Sequence, residues 1–270
     1  MPLSRSIFQR AVAMLHEQDG EVLVVRSPLA PLNAEPRVSS AQISQLLAGH
    51  TVLSLERDAT GEWYRVRGGD GYEGWTHSGY LMPVNSGWEP STTLSLGARV
   101  HGPYGERDLP LGALLLPGEE VVAGGRVELS ELATRFPTSG SAILESARRF
   151  FGGVSYQWGG ITPWGCDCSG FVQTLFALHG VALPRDAWQQ AMEGDEVAAD
   201  PDRGELGELL FFSDRDDGRV THVALRAGGD RIVHVAIGRG GMSQDSLGGG
   251  EGYLIRLRSQ LRAARRVLHD

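Results

Sequence analysis

Among the two cysteines and eight histidines of this 270-residue chain, Cys168 stands where a thiol can do covalent chemistry. A glycine-rich stretch, Tyr156-Gln-Trp-Gly-Gly, runs after five residues into Cys166-Asp167-Cys168-Ser169-Gly170-Phe171-Val172-Gln173. From there Phe171, Val172, Leu175, Phe176 and Leu178 return at three- and four-residue spacing until Gly180. That period predicts an amphipathic helix that opens at the cysteine and stops at the glycine. Unpaired N–H groups and the positive end of the macrodipole at a helix start stabilise a thiolate, so Cys168 is expected to be a nucleophile whose reactive form is populated near neutral pH.

A nucleophilic cysteine needs a base. Thr221-His222-Val223-Ala224-Leu225 and Arg231-Ile232-Val233-His234-Val235-Ala236-Ile237 both alternate like strands, with Ala227-Gly228-Gly229-Asp230 between them as a hairpin turn. The two histidines then lie on neighbouring strands. His222 fits the general base that takes the thiol proton, and His234 the third group that binds the far ring nitrogen and fixes its tautomer. Two thiols and two histidines also match a tetrahedral zinc set, but Cys-x-Cys across a helix start is not the usual zinc knuckle. No metal or other cofactor is therefore expected. Cys166 reads as a non-catalytic thiol, and His50, His77 and His179 as surface residues. Trp158, Trp164 and Trp188 read as packing residues and stay outside the site.

These residues resemble the NlpC-type cysteine peptidases of bacteria, a compact branch of the papain-like fold that cleaves peptidoglycan peptides. The resemblance covers roughly residues 138 to 270. It is carried by Tyr-x-Trp-Gly-Gly, by Asp-Cys-Ser-Gly-Phe-Val-Gln, by Leu183-Pro184-Arg185-Asp186 and Gln190, by Gly207-Glu208-Leu209-Leu210-Phe211-Phe212, and by the two histidine strands. It implies a Cys168, His222 and His234 triad, the Tyr156 hydroxyl near the scissile carbonyl, and the Cys168 backbone N–H at the oxyanion. Asp167 and Ser169 are assigned to substrate binding on the same basis. It also implies a scissile bond between γ-D-Glu and L-Lys or meso-diaminopimelate, cut through a thioester. Ala187 stands after Asp186 where relatives that read a free peptide amine carry serine, so one hydrogen bond to that amine is expected to be missing.

The fold expected is an α+β papain-like catalytic domain, its nucleophile helix packed on an antiparallel sheet, preceded by one or two small all-β SH3-like barrels. Short strands at Glu21-Val-Leu-Val-Val-Arg26, Thr51-Val-Leu-Ser-Leu-Glu56, Glu62-Trp-Tyr-Arg-Val-Arg67 and Gly71-Tyr-Glu-Gly-Trp-Thr76 look like a bacterial SH3-like domain. The expected division is an N-terminal segment 1–19, a barrel 20–84, a linker 85–96, a degenerate second barrel 97–137 and the peptidase domain 138–270.

The formal charge of −8 disfavours nucleic acid as a partner. The first twenty residues carry no apolar stretch of signal-peptide length, and the expected compartment is a reducing bacterial cytosol. A chain shorn of its leader would read the same way. In a cytosolic enzyme the first barrel is expected to limit which peptides fit. Glu35, on the loop after the first strand, and Tyr72 would then join Asp186 around the free N-terminal ammonium of a murein peptide. The expected function is therefore an endopeptidase recycling peptides of the L-Ala-γ-D-Glu-diamino acid type, with no membrane partner. The alternatives are a secreted hydrolase tethered to the wall by its barrels and a catalytically silent wall-peptide-binding protein.

Overall fold

The computed structural model describes residues 20–84 and 88–268. The N-terminal segment 1–19 and part of the expected linker, 85–87, lie outside the described residues. The chain divides into two compact units, one ending at Arg135 and the other beginning at Phe136.

The first unit is all-β apart from short helical turns. Strands β1 (Glu21–Val25), β2 (Leu29–Asn33), β3 (Gln42–Leu47), β4 (Thr51–Arg57), β5 (Trp63–Arg67), β6 (Glu73–His77) and β7 (Leu81–Pro83) form a seven-stranded sheet in the order β3-β2-β6-β5-β4-β1-β7. Leu23, Val25, Ala30, Leu32, Leu46, Val52, Val66 and Leu81 make its core. The sequence pattern misses β2, β3 and β7. Pro31 sits inside β2, but β2 pairs with β6 only at Asn33 and Trp75, so the absent N–H breaks no ladder on that side. Glu35 therefore follows the second strand, not the first.

A smaller module continues the same unit. Strands β8 (Thr93–Ser95), β9 (Ala98–Gly102), β10 (Gly105–Leu109), β11 (Glu120–Ala123) and β12 (Arg126–Glu128) pair as β10-β9-β11 and β12-β8, and the four-residue helix α1 (Leu132–Arg135) follows. The linker is thus shorter than expected, because Thr93–Ser95 is a strand hydrogen-bonded to Arg126–Glu128. The two modules are tied: the Leu114 N–H donates to the Ala48 carbonyl at 2.8 Å, and the His50 Nε2–H to the Gly112 carbonyl at 2.8 Å. His50 is accordingly an interface residue between modules rather than a surface one, and burial lowers its pKa.

The second unit is helices packed on an antiparallel sheet. After α2 (Gly140–Phe151), the two-residue strands β13 (Ile161–Thr162) and β14 (Gly165–Cys166) lead into α3 (Cys168–Leu178), then the short α4 (Ala187–Gln190). Strands β15 (Asp195–Val197), β16 (Leu209–Phe212), β17 (His222–Gly228), β18 (Arg231–Ala236), β19 (Gly241–Ser246) and β20 (Leu261–Arg266), with α5 (Gly252–Ser259) before the last, form a six-stranded sheet ordered β15-β20-β16-β17-β18-β19. Every residue of α3 is buried. Helix α3 ends where Gly180 adopts φ +81°, a left-handed conformation that favours glycine. It packs on β17 and β18, the two strands that carry the histidines.

Candidate active site

Asp167 caps α3, its side-chain oxygen accepting the Gly170 N–H at 2.8 Å, so Cys168 occupies the first helical position. The other oxygen accepts the Gly159 N–H at 2.9 Å, and Arg185 grips both, at 3.0 and 2.6 Å. Arg185 also donates to the Ser169 hydroxyl at 2.9 Å, which itself donates to Asp167 at 3.2 Å. From α4, the Gln190 amide donates to the Ser169 and Pro184 carbonyls at 3.0 and 2.9 Å. Asp167 and Ser169, expected to bind substrate, are both buried, with these polar atoms bonded inside the protein at the start of α3. With side-chain exposures of 2% and 7%, the Arg185–Asp167 pair is a buried charge pair. Asp167→Ala should cost about 3–5 kcal/mol of stability by stranding the guanidinium. Denaturant unfolding of the variant measures this, and a loss below about 1 kcal/mol contradicts the assignment.

The same cap changes the expected state of the nucleophile. Burial, reinforced by the Asp167 carboxylate, pushes the Cys168 thiol up to about 12, against the opposing effect of backbone hydrogen bonds from Val223 and Ser169 and of the Arg185 charge. The helix start is already occupied by a carboxylate, so its field serves Asp167 before the thiol. His222 moves the other way, lowered to about 3 by burial and by His234. Both shifts favour the neutral forms, a thiol and an imidazole, over the thiolate expected from the helix position. With the thiol raised, the thiolate fraction grows tenfold per pH unit through neutrality. Alkylation of Cys168 by iodoacetamide should accordingly climb about tenfold per unit from pH 6 to 9, whereas a plateau across that range would mark a standing thiolate–imidazolium pair.

Strands β17 and β18 meet through a turn in which Gly228 and Gly229 take φ +103° and +56°. This brings the His222 Nε2 within 2.8 Å of the His234 Nδ1, the rings crossing at 69° with centroids 5.1 Å apart. His234 is fully buried. Its Nε2 lies 2.9 Å from the Asp245 carboxylate on β19, a residue absent from the sequence reading. Asp245 also accepts the Ser243 hydroxyl at 2.9 Å and two guanidinium bonds from Arg239 at 3.1 and 2.7 Å. Burial alone would raise this carboxyl; the hydrogen bonds from His234, Arg239 and Ser243 overturn that and hold it well below the ordinary carboxylate range.

Tyr156 is half-buried, and its phenol is pushed up to about 12 by burial and then by Cys168 and Asp167, which keeps it a hydrogen-bond donor near the nucleophile. Asp186 opens α4 and accepts the Trp188 indole N–H at 3.2 Å. In the all-β unit, Glu35 pairs with Arg37 at 2.7 Å and is well exposed, while Tyr72 packs against the barrel core. Trp158 and Trp164 do not pack inside as expected: they are 67% and 51% exposed. His179 is likewise no surface residue. It is buried, donating from Nδ1 to the Pro137 carbonyl at 2.8 Å and bonded at Nε2 to the Ser146 hydroxyl at 3.0 Å. Cys166 is buried and its thiol raised by burial, then by Asp167 and Cys168.

Residues 153–253 match the model of the NlpC/P60 family, and residues 29–82 that of the bacterial SH3 domain. A Bacillus subtilis protein named gamma-D-glutamyl-L-lysine dipeptidyl-peptidase is 29% identical over 215 residues, 71% of each chain. A Haemophilus influenzae protein named "Probable endopeptidase" is 32% identical over 112 residues, 41% of this chain and 68% of its own. In fold, the chain is similar to the crystal structure of an NlpC/P60 family protein from Bacillus cereus, with a TM-score of 0.77 at 21% identity over 92% of this chain and 100% of that one. By these matches the chain belongs to the NlpC/P60 family of cysteine peptidases, with a bacterial SH3 domain in its all-β unit.

Proposed function

We propose that this chain hydrolyses peptidoglycan peptides at the bond between γ-D-Glu and a diamino acid, with Cys168 as nucleophile, His222 as base and His234 as the group that orients it. The observation that carries the reading is the 2.8 Å His222–His234 hydrogen bond beside a buried helix-start thiol, with the Val223 N–H directed at that thiol. A nucleophile, a base and an orienter are thereby present in one unit. The name of the Bacillus subtilis relative supports the choice of bond.

His222 takes the Cys168 proton as the sulfur attacks the γ-carbonyl carbon. The Cys168 backbone N–H and the Tyr156 hydroxyl are the donors to the developing oxyanion. Collapse breaks the C–N bond, and the leaving amine receives the proton from His222. Water attacks the remaining thioester and gives a proton to His222; collapse breaks the C–S bond, the sulfur recovers a proton from His222, and the γ-carboxylic acid and free thiol remain. No step calls for a cofactor.

The substrate proposed is a soluble peptide with a free N-terminal L-Ala, and the setting is recycling of cell-wall peptides in the cytosol. Among the described residues no helix is long and apolar enough to cross a membrane. Incubation with L-Ala-γ-D-Glu-meso-diaminopimelate should release L-Ala-D-Glu and the free diamino acid, read by mass spectrometry. An intact tripeptide after prolonged incubation, with Cys168 reduced and the protein folded, would remove the reading.

A further inference from the structure

The proposed triad is a relay of two histidines, and with one proton on each ring it works in only one arrangement of those protons. His222 has one ring nitrogen, Nε2, committed to His234, which leaves Nδ1 as the nitrogen able to take the thiol proton. Nδ1 must then be bare, so the His222 proton must sit on Nε2 and be donated to His234. That in turn requires a bare Nδ1 on His234, with its own proton on Nε2. Shifting either ring to the other tautomer leaves His222 protonated at Nδ1 and unable to act as a base. The rings alone do not choose between these states.

The group that chooses is Asp245. We infer that Asp245 is a positioning residue for catalysis, its carboxylate fixing the tautomers of His234 and, through it, of His222 so that the base faces the thiol unprotonated. The inference rests on the triad reading above and adds a fourth member to it. An ionised carboxylate only accepts hydrogen bonds, so a separation of 2.9 Å from its oxygen to the His234 Nε2 requires a proton on that nitrogen. His234 stands opposite Ser243 in the β18–β19 ladder, and Asp245 is the diagonal neighbour two residues further along the same face. The carboxylate is itself immobilised. The Ser243 hydroxyl and the Arg239 guanidinium hold both oxygens, Arg239 also pairs with Glu251 at 2.9 Å, and it lies 4.6 Å above the Tyr253 ring on α5.

Arg239 has a second consequence. The bidentate guanidinium, at 3.1 and 2.7 Å, offsets the carboxylate's charge, so the oxygen facing the His234 Nε2 stays an acceptor. When His222 does become an imidazolium during the reaction, the same carboxylate, one ring away, favours the positive charge.

The test combines spectroscopy with kinetics. In the unsubstituted protein at neutral pH, long-range 1H–15N spectra should show both His222 and His234 as Nε2–H tautomers. A His234 that is protonated at Nδ1, or doubly protonated, overturns the inference whatever the kinetics. Asp245→Asn, whose amide can donate as well as accept, should mix these tautomers and lower kcat on the order of 10²- to 10⁴-fold with KM within about twofold. Asp245→Glu, which restores an acceptor-only group, should recover at least tenfold of that loss. A kcat for Asp245→Asn within threefold of the parent, or a large loss with unchanged tautomers, overturns the inference. If the asparagine variant does not fold, the spectrum of the unsubstituted protein still decides. Turnover by Cys168→Ala would strike the triad reading instead, which the tautomer spectra do not depend on.

Discussion

Cys168→Ala should lower turnover on the order of 10⁴- to 10⁶-fold while the protein stays folded, because it removes one sulfur from a buried helix start and leaves every hydrogen bond of the Asp167–Arg185–Ser169 cluster in place. His222→Ala should be nearly as damaging, since it removes the base ring held 2.8 Å from His234. His234→Gln should be milder, roughly 10- to 100-fold, because a glutamine amide can accept the His222 proton through its oxygen and donate to Asp245 through its nitrogen. Peptide-release kinetics rank the three variants, and circular dichroism confirms their folding. Hydrolysis by the alanine variant near the parent rate would end the mechanism, and rates equal to the parent's in all three variants would move the chemistry away from this site.

That ranking depends on residues that differ in how far sequence exposes them. The helix over Cys168–Leu178 is legible because its apolar period is strong and its ends carry a capping aspartate and a left-handed glycine. The histidine strands are legible because β-branched and polar residues alternate on either side of a Gly-Gly turn. Asp245 is not. It lies in Gly-Met-Ser-Gln-Asp-Ser, a strand with almost no apolar residues, and its approach to His234 is set by the register between β18 and β19. An acidic residue on the next strand was the available signal, but sequence does not give the register that makes it a neighbour.

Arg185 shows a second limit. Its motif is visible, yet its role depends on a bidentate grip on a residue 18 positions away. Sequence likewise suggests a thiolate at a helix start, while packing decides that the thiol is buried beside a carboxylate. In the all-β unit, Pro31 hides a strand whose pairing on one side is too sparse to need its N–H. In each case local pattern gives the element and long-range packing gives the state of the side chain.

The second large effect concerns the substrate's N-terminus. If the proposed substrate is a free peptide, its L-Ala carries an ammonium that loses hydration on binding and needs a carboxylate partner there. Asp186, half-buried at the start of α4 directly after Arg185, is the candidate within the catalytic unit. Ala187, which follows it, brings no hydroxyl of its own to the amine. Acetylation removes the charge, shortens the supply of N–H donors and adds bulk at the same atom. A site built around a charged donor rejects an analogue lacking it by roughly 10⁴- to 10⁵-fold, far more than a missing methyl group achieves. The ratio of kcat/KM for L-Ala-γ-D-Glu-diamino acid over its N-acetyl form should therefore be on that order. Asp186→Asn should shrink it by lowering kcat/KM for the free peptide alone. Glu35→Gln and Tyr72→Phe test the part of the expectation that rests on the all-β unit: if the ratio is unchanged, amine selection is left to the catalytic unit. Comparable kcat/KM on the free and acetylated peptides would sink the free-amine reading and favour muramyl-linked stems as the substrate, with the SH3 domain serving to hold the enzyme to the wall.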